Sequence, residues 1–232
     1  MKKITILLLV TMLLIGSSLQ ALAKGGPSGS AGPKGSDELQ KNAPVESGEK
    51  GEQAYEDSMS DLEKEMAGSG LSQQFQNRFM TQLRLCLEQV IEESENDGEK
   101  RDRVRSQEMT RIACQAANQN LSPDEAARVC AAYQAAVWAG VNGRLGEALA
   151  VEGLKRNQSV EQIEKALRLV TRLCQEFQCQ LSEGNTAEDE EALAELGRKL
   201  AGLCEMERLE ERLRELLQEG YSLEEAVNLL SN

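Results

Sequence analysis

"SVEQIEKALRLVTRLCQEFQCQL", residues 159–181, decides the fold. Its apolar residues Ile163, Leu167, Val170, Cys174, Phe177 and Leu181 follow one another at steps of four, three, four, three and four. An α-helix makes a turn every ~3.6 residues, so this spacing lines one face of a helix and leaves the charged residues on the other. A strand would need strict alternation, and no stretch of the chain alternates with period two. The expectation is an all-α protein.

The same period recurs on both sides of that segment. Phe75, Phe79, Leu83, Cys86 and Val90 predict a helix from Ser72 to about Glu93. Val104, Met109, Ile112, Ala113 and Ala116 predict a second one. A third opens at Ser122, with Ala126, Val129, Cys130, Tyr133 and Val137 on its inner face, and a short one covers about Leu145 to Arg156. Downstream, Leu193, Leu196, Leu200, Leu203, Leu209, Leu213 and Leu216 predict one helix from Thr186 to about Glu219. At about 1.5 Å per residue it would run roughly 45 Å, long enough to brace its neighbours. A last short helix starts at Ser222. The fold expected is an irregular array of about six to seven helices, built as capped hairpins.

The caps are explicit. Ser122/Glu125, Ser159/Gln162 and Ser222/Glu225 each place a serine three residues before a Glu or Gln, and Thr186/Asp189 is a fourth, looser pair. The first N–H groups of a helix lack partners inside it, and a Ser or Thr at the N-cap accepts from one of them while the Glu or Gln reaches back. Pro123 suits the first helical position, where its missing N–H removes no bond. Acidic residues crowd these first turns, where the helix dipole favours them. Ser122, Ser159, Thr186 and Ser222 are therefore read as helix starts rather than as a ligand site. Asn120-Leu121-Ser122 and Asn157-Gln158-Ser159 also fit the N-glycosylation sequon, which has meaning only in a eukaryotic secretory setting. The caps fall at unequal intervals, so a solenoid of fixed period is not expected. "GYSLEEAVNLL", 220–230, resembles the opening of ubiquitin-associated three-helix modules; the resemblance is confined to those residues, and no function is taken from it.

The N-terminus reads as an address. Lys2 and Lys3 precede an apolar run from Ile4 to Ile15, and Ala21 and Ala23 offer small side chains before Lys24. This is the layout of a secretory signal peptide over 1–23, with an apolar run too short for a spanning helix. The mature chain is expected in a bacterial periplasm or the medium, with no transmembrane segment. Residues 24–70 are rich in Gly, Pro and Ser and then in charge. They are expected to be a disordered arm with a transient helix near 57–66, leaving 71–232 as the helical domain.

That compartment gives the six cysteines a meaning. Cys86, Cys114, Cys130, Cys174, Cys179 and Cys204 are an even set in an exported chain, which predicts disulfide staples of unknown connectivity. Cys174 and Cys179, five apart on one helix, would hold their Cα atoms about 8–9 Å apart, beyond disulfide reach. Cys114 and Cys130 flank the 118–122 turn and are the expected hairpin staple. Metal is not expected, since the chain has no histidine and no Cys-x-x-Cys pair. No c-type haem or thioredoxin-type motif is present either, and no cofactor is expected.

Charge narrows the function. The chain carries 26 basic and 39 acidic residues, a formal charge of −13; removing residues 1–23 takes Lys2 and Lys3 and no acid, giving −15. Such a surface repels phosphate backbones, and seven aromatic residues (three Phe, three Tyr, one Trp) offer little for base stacking. Nucleic acid is not an expected partner. The absence of histidine removes the commonest general base and every Ser-His or Cys-His pair, so the chain is not expected to be an enzyme. The expected role is non-catalytic: protein–protein contact or self-association, as a scaffold or holdase. A helical binding module for a small apolar ligand or lipid is the alternative.

Overall fold

The computed structural model describes residues 47–93, 104–177, 186–203 and 208–231, all within one unit spanning Pro44–Asn232. Among the described residues every regular element is a helix: α1 Ser47–Gly68, α2 Gln73–Glu93, α3 Ser106–Asn118, α4 Pro123–Trp138, α5 Gly143–Lys155, α6 Val160–Phe177, α7 Ala187–Leu203, α8 Leu209–Gln218 and α9 Leu223–Ser231.

One four-residue turn links most of them. At 119–122, 139–142, 156–159 and 219–222 the second residue has positive φ: Asn120 (60°), Gly140 (96°), Asn157 (57°) and Gly220 (95°). In each, the residue after it returns an N–H to a carbonyl five back. Leu121 donates to Ala116, Val141 to Ala136, Gln158 to Gly153 and Tyr221 to Leu216, at 2.9–3.2 Å. The left-handed residue itself donates three back, to Ala117, Val137, Leu154 and Leu217. This is the Schellman arrangement, which satisfies the last carbonyls of the outgoing helix. Asn and Gly stand at its centre because they tolerate that φ with least strain. The fourth residue then caps the incoming helix. Asn142 Oδ1, for instance, accepts from the Arg144 and Leu145 N–H groups. Gly70 (φ 79°), two residues before Ser72, gives the α1–α2 turn the same length.

With its turns alike, the chain stacks as hairpins in two layers. Helices α1, α3, α5 and α7 pack in succession to form one layer, and α2, α4, α6 and α8 form the other, while α9 packs on α7 and α8. Helices within a layer run parallel. Arg78 near the start of α2 pairs with Asp124 at the start of α4, and Arg172 and Glu176 of α6 meet Glu210 and Arg214 of α8 in the same order. The first-layer helices start at 47, 106, 143 and 187, so the stack is regular in space but not in period. Helices α5 and α7 approach one another closely. A Cβ on Gly197 would lie 2.5 Å from the Leu145 carbonyl oxygen and 2.9 Å from Ala148 Cβ. One apolar core runs between the layers, from Met59 and Leu62 through Ile112, Tyr133 and Leu149 to Leu213 and Val227.

Three expectations change. The arm expected to be disordered through Gly70 is helical from Ser47, because Tyr55, Met59, Leu62 and Met66 step by four, three and four and are all buried. Residues 1–46, including the expected signal peptide, lie outside the described residues. The single brace over 186–219 is two helices: Arg208 has φ 60°, a left-handed conformation that ends any continuous helix through it. The third concerns the disulfides. No disulfide joins any two of Cys86, Cys114, Cys130 and Cys174, while Cys179 and Cys204 lie outside the described residues. Cys114 lies near Cys130, yet the two thiols are not joined. The Cys130 thiol reaches the Met109 carbonyl oxygen at 3.6 Å instead.

The α5–α7 contact yields a stability test. Gly197→Ala forces a methyl into backbone and should destabilise the protein by about 1–3 kcal/mol. Gly202→Ala, whose Cβ would meet only the Arg156 guanidinium at 3.4 Å, should be neutral or stabilising by up to about 1 kcal/mol. Urea denaturation of both variants checks the contrast.

Candidate functional site: a groove along the second layer

Three neighbours of the second layer, α2, α4 and α6, line an open groove of about 1260 Å³. Its floor is α4, where the half-buried Ala132 and Ala135 present methyl groups and Ala131 and Ala136 lie buried at the edges. One wall is α2, with Gln82, Cys86, Gln89 and Val90; the other is α6, with Lys165, Arg168, Thr171 and Arg172. The recess follows from side-chain size. Parallel helices bearing large residues on these faces would close over α4, whereas the alanines leave the space between the walls unfilled.

Charge on the rim is uneven. Arg128 from the floor helix reaches Glu164 through Nε and Nη2 at 3.0 and 3.1 Å and Glu161 through Nη1 at 3.3 Å. The Glu164 contact is the main reason its guanidinium is held above the ordinary value. Glu161 is held below its ordinary value first by its own backbone N–H in the first turn of α6 and then by Arg128. Arg172 is engaged by Glu210 of α8 at 2.9 Å. Arg168 comes only within 3.8 Å of Glu164, whose oxygens already serve Arg128, and Lys165 makes no ion pair among the described residues. The groove therefore carries four cations against two carboxylates, in a chain whose formal charge is −13. A smaller recess lined by Arg208, Glu211, Arg212 and Glu215 balances to zero, and one beside Asp61, Lys64 and Glu65 is net negative.

None of the residues read as caps lines this groove, although Ser159 touches Glu161 at its edge. Ser122 Oγ accepts from the Glu125 N–H while Glu125 Oε2 accepts from the Ser122 N–H at 2.8 Å. Ser159 and Gln162 exchange the same pair of bonds, as do Ser222 and Glu225; Thr186 Oγ1 accepts from the Asp189 N–H at 3.1 Å. Ser122, Ser159, Thr186 and Ser222 sit at four separate helix starts, and nothing brings them together. Ser72 and Asn142 cap in the same way without a Glu or Gln three residues on, which is why the box pattern passes over them.

The cysteines are also dispersed. Cys86 stands half-buried in the groove wall, its sulfur 3.8 Å from Gln82 Nε2. Cys130 is fully buried, and burial, with Cys114 nearby, pushes its thiol well above the ordinary value. Cys174 is buried on the inner face of α6. Among the described residues no group of His, Cys, Asp or Glu side chains could hold a metal ion, and no helix is long and apolar enough to cross a membrane. Comparison with protein-family models, with curated proteins and with solved structures finds no match to this chain.

The groove itself was not legible in the apolar periodicity. Cys86 and Val90 belong to the predicted seam of α2, yet Phe79, Leu83 and Leu87 take the buried side and leave those two at the wall. The signal that was present is the alanine run of α4, which marks a helix thin enough to sit at the bottom of a recess.

Two tests follow from these contacts. The backbone hydrogen bond from Ser122 depresses the Glu125 carboxyl, so its contribution to stability is full above the ordinary 4.5 and is lost as pH falls through the lowered folded value. Ser122→Ala should cost about 1 kcal/mol in chemical denaturation at neutral pH. Glu125→Gln should be destabilised at neutral pH and converge on the wild type in acid. Separately, iodoacetamide should alkylate Cys86 in the folded protein well before Cys130, since a thiol reacts through an accessible thiolate. Peptide mapping over time checks that order.

Proposed function

We propose that this chain is a non-catalytic scaffold that works by protein–protein contact through the groove between α2, α4 and α6. The observation that carries the reading is the groove itself: a straight, open recess flanked by parallel helices, floored by methyl groups and rimmed by charge. Its ~1260 Å³ exceeds the roughly 300–1,000 Å³ usual for small-molecule sites, which are also more enclosed. That weighs against the small apolar ligand, whose sign would be a molecule retained in native mass spectrometry. The lack of histidine supports a non-catalytic role, and the leader-like residues 1–23 support export to the periplasm or medium.

A photo-reactive residue placed at Ala132, on the groove floor, should crosslink to protein in an envelope extract. The same residue at Lys155, exposed at the end of α5, should not. Equal crosslinking from both positions, or none from Ala132, would sink the proposal.

A further inference from the structure

We infer that the groove takes an acidic amphipathic helix from a partner protein, about three turns long, lying along α4 with its small-residue face down. The inference rests on the interaction reading above and adds the chemistry of the occupant.

Three features select it. The first is the floor. Ala132 and Ala135, three apart and half-buried, open one face of α4 between the buried Ala131 and Ala136, and with no side chain larger than a methyl there a second helix can approach to the ~8 Å at which small side chains interlock. A strand would present its backbone bonds to methyl groups and leave them unmet. The second is length. Lining residues on α6 run from Glu161 to Arg172 and on α2 from Gln82 to Val90. At about 1.5 Å per residue these walls are roughly 16 and 12 Å long, about three helical turns along α6 and two along α2. The third is charge. Lys165 and Arg168, three apart on α6, stand on one rim without a close acid of their own. Opposite them, Gln82 and Gln89 bring amides and no charge. An occupant with Glu or Asp at i and i+3 or i+4 on the α6 side, and Ala or Leu beneath, matches both rims. Elsewhere the acidic surface repels such a helix, so complementarity directs it to this groove.

The probe is a fluorescein-labelled peptide about four turns long, stapled on its solvent side to fix its helicity, with Ala and Leu on one face and Glu on the flank. Two control peptides carry Gln or Lys in place of Glu. Anisotropy with the full chain should show the Glu peptide bound at least about tenfold tighter than the Gln peptide and weakened by salt. Lys165→Glu with Arg168→Glu should weaken the Glu peptide by about tenfold or more, four small surface terms acting together, and turn the preference toward the Lys peptide. Ala135→Leu, which fills the floor without changing charge, should weaken every peptide, while circular dichroism stays that of the wild type.

Binding of the Gln peptide as tight as the Glu peptide, or no binding of any, overturns the inference. So does a dimer in sedimentation that Ala135→Leu abolishes, because the occupant is then a second copy. An apolar molecule that co-purifies and is lost in Ala135→Leu overturns it as well. The Ala132 crosslink separates this failure from that of the broader reading. If it persists in the charge-reversed variant, the groove binds protein but not by acidic complementarity; if it is absent throughout, both fail.

Discussion

The four-residue turn is the constraint on which the architecture depends. Two chain directions meet in it, and each must have its loose backbone groups satisfied: carbonyls at the end of one helix, N–H groups at the start of the next. A left-handed Asn or Gly lets the following residue bond back to the outgoing helix. The residue after that is then in place to cap the incoming one. Because the two halves share four residues, neither can change length without orphaning the other. Used at 119–122, 139–142, 156–159 and 219–222, the module gives successive helices the same reversal. Parallel layers follow from repeating that reversal, even though the distances along the chain between equivalent helices differ.

Side-chain volume then decides how tightly the layers close. In the first layer, Gly197 lets α7 lie directly on the backbone of α5 around Leu145 and Leu149. Gly146 lets the ring of Tyr133 rest on α5, where a Cβ would stand 3.2 Å from it. In the second layer Ala132 and Ala135 of α4 are only half-buried, and no helix among the described residues lies above them. The same residue types thus serve close packing on one side of the molecule and leave a recess on the other. What differs is whether a neighbour is covalently bound to arrive.

That distinction also explains what was legible in the sequence. Helix identity was legible in α6, whose seam keeps its period, and so were starts that carry both halves of a capping box. Helix α1 was obscured because Tyr55, Met59, Leu62 and Met66 are four residues in a strongly charged stretch, and composition outweighed spacing. The break at Arg208 left no trace in the apolar spacing, because Met206 stands between Leu203 and Leu209 and keeps the steps at three. Only the left-handed backbone at Arg208 shows it, and an arginine is not a residue that marks such a conformation in a sequence. The cysteine pairing failed for a different reason. Flanking a turn brings two residues near one another on one hairpin, but a disulfide also needs Cβ atoms about 4 Å apart and aimed at each other, which nearness alone does not supply. The groove was hidden because alanine counts as apolar in any periodicity argument, whether or not something covers it.

Charge follows the same geometry. Parallel neighbours bring equivalent positions together, so the second layer carries a run of cross-helix pairs: Arg78 with Asp124, Arg128 with Glu164, Arg172 with Glu210 and Arg214 with Glu176. Each is exposed on at least one side and contributes little alone, typically ~1 kcal/mol or less. Their joint effect is to fix which rung of one helix faces which rung of the next. Many of the acids are committed by position, either in these pairs or in the first turns, where the helix dipole and the caps hold them. Two cations of the groove are less committed. Lys165 and Arg168 lie between the Arg128 and Arg172 rungs of α6, beyond good reach of any acid that those rungs leave over. The ladder that aligns the helices is thus also what leaves the groove positive in an acidic protein.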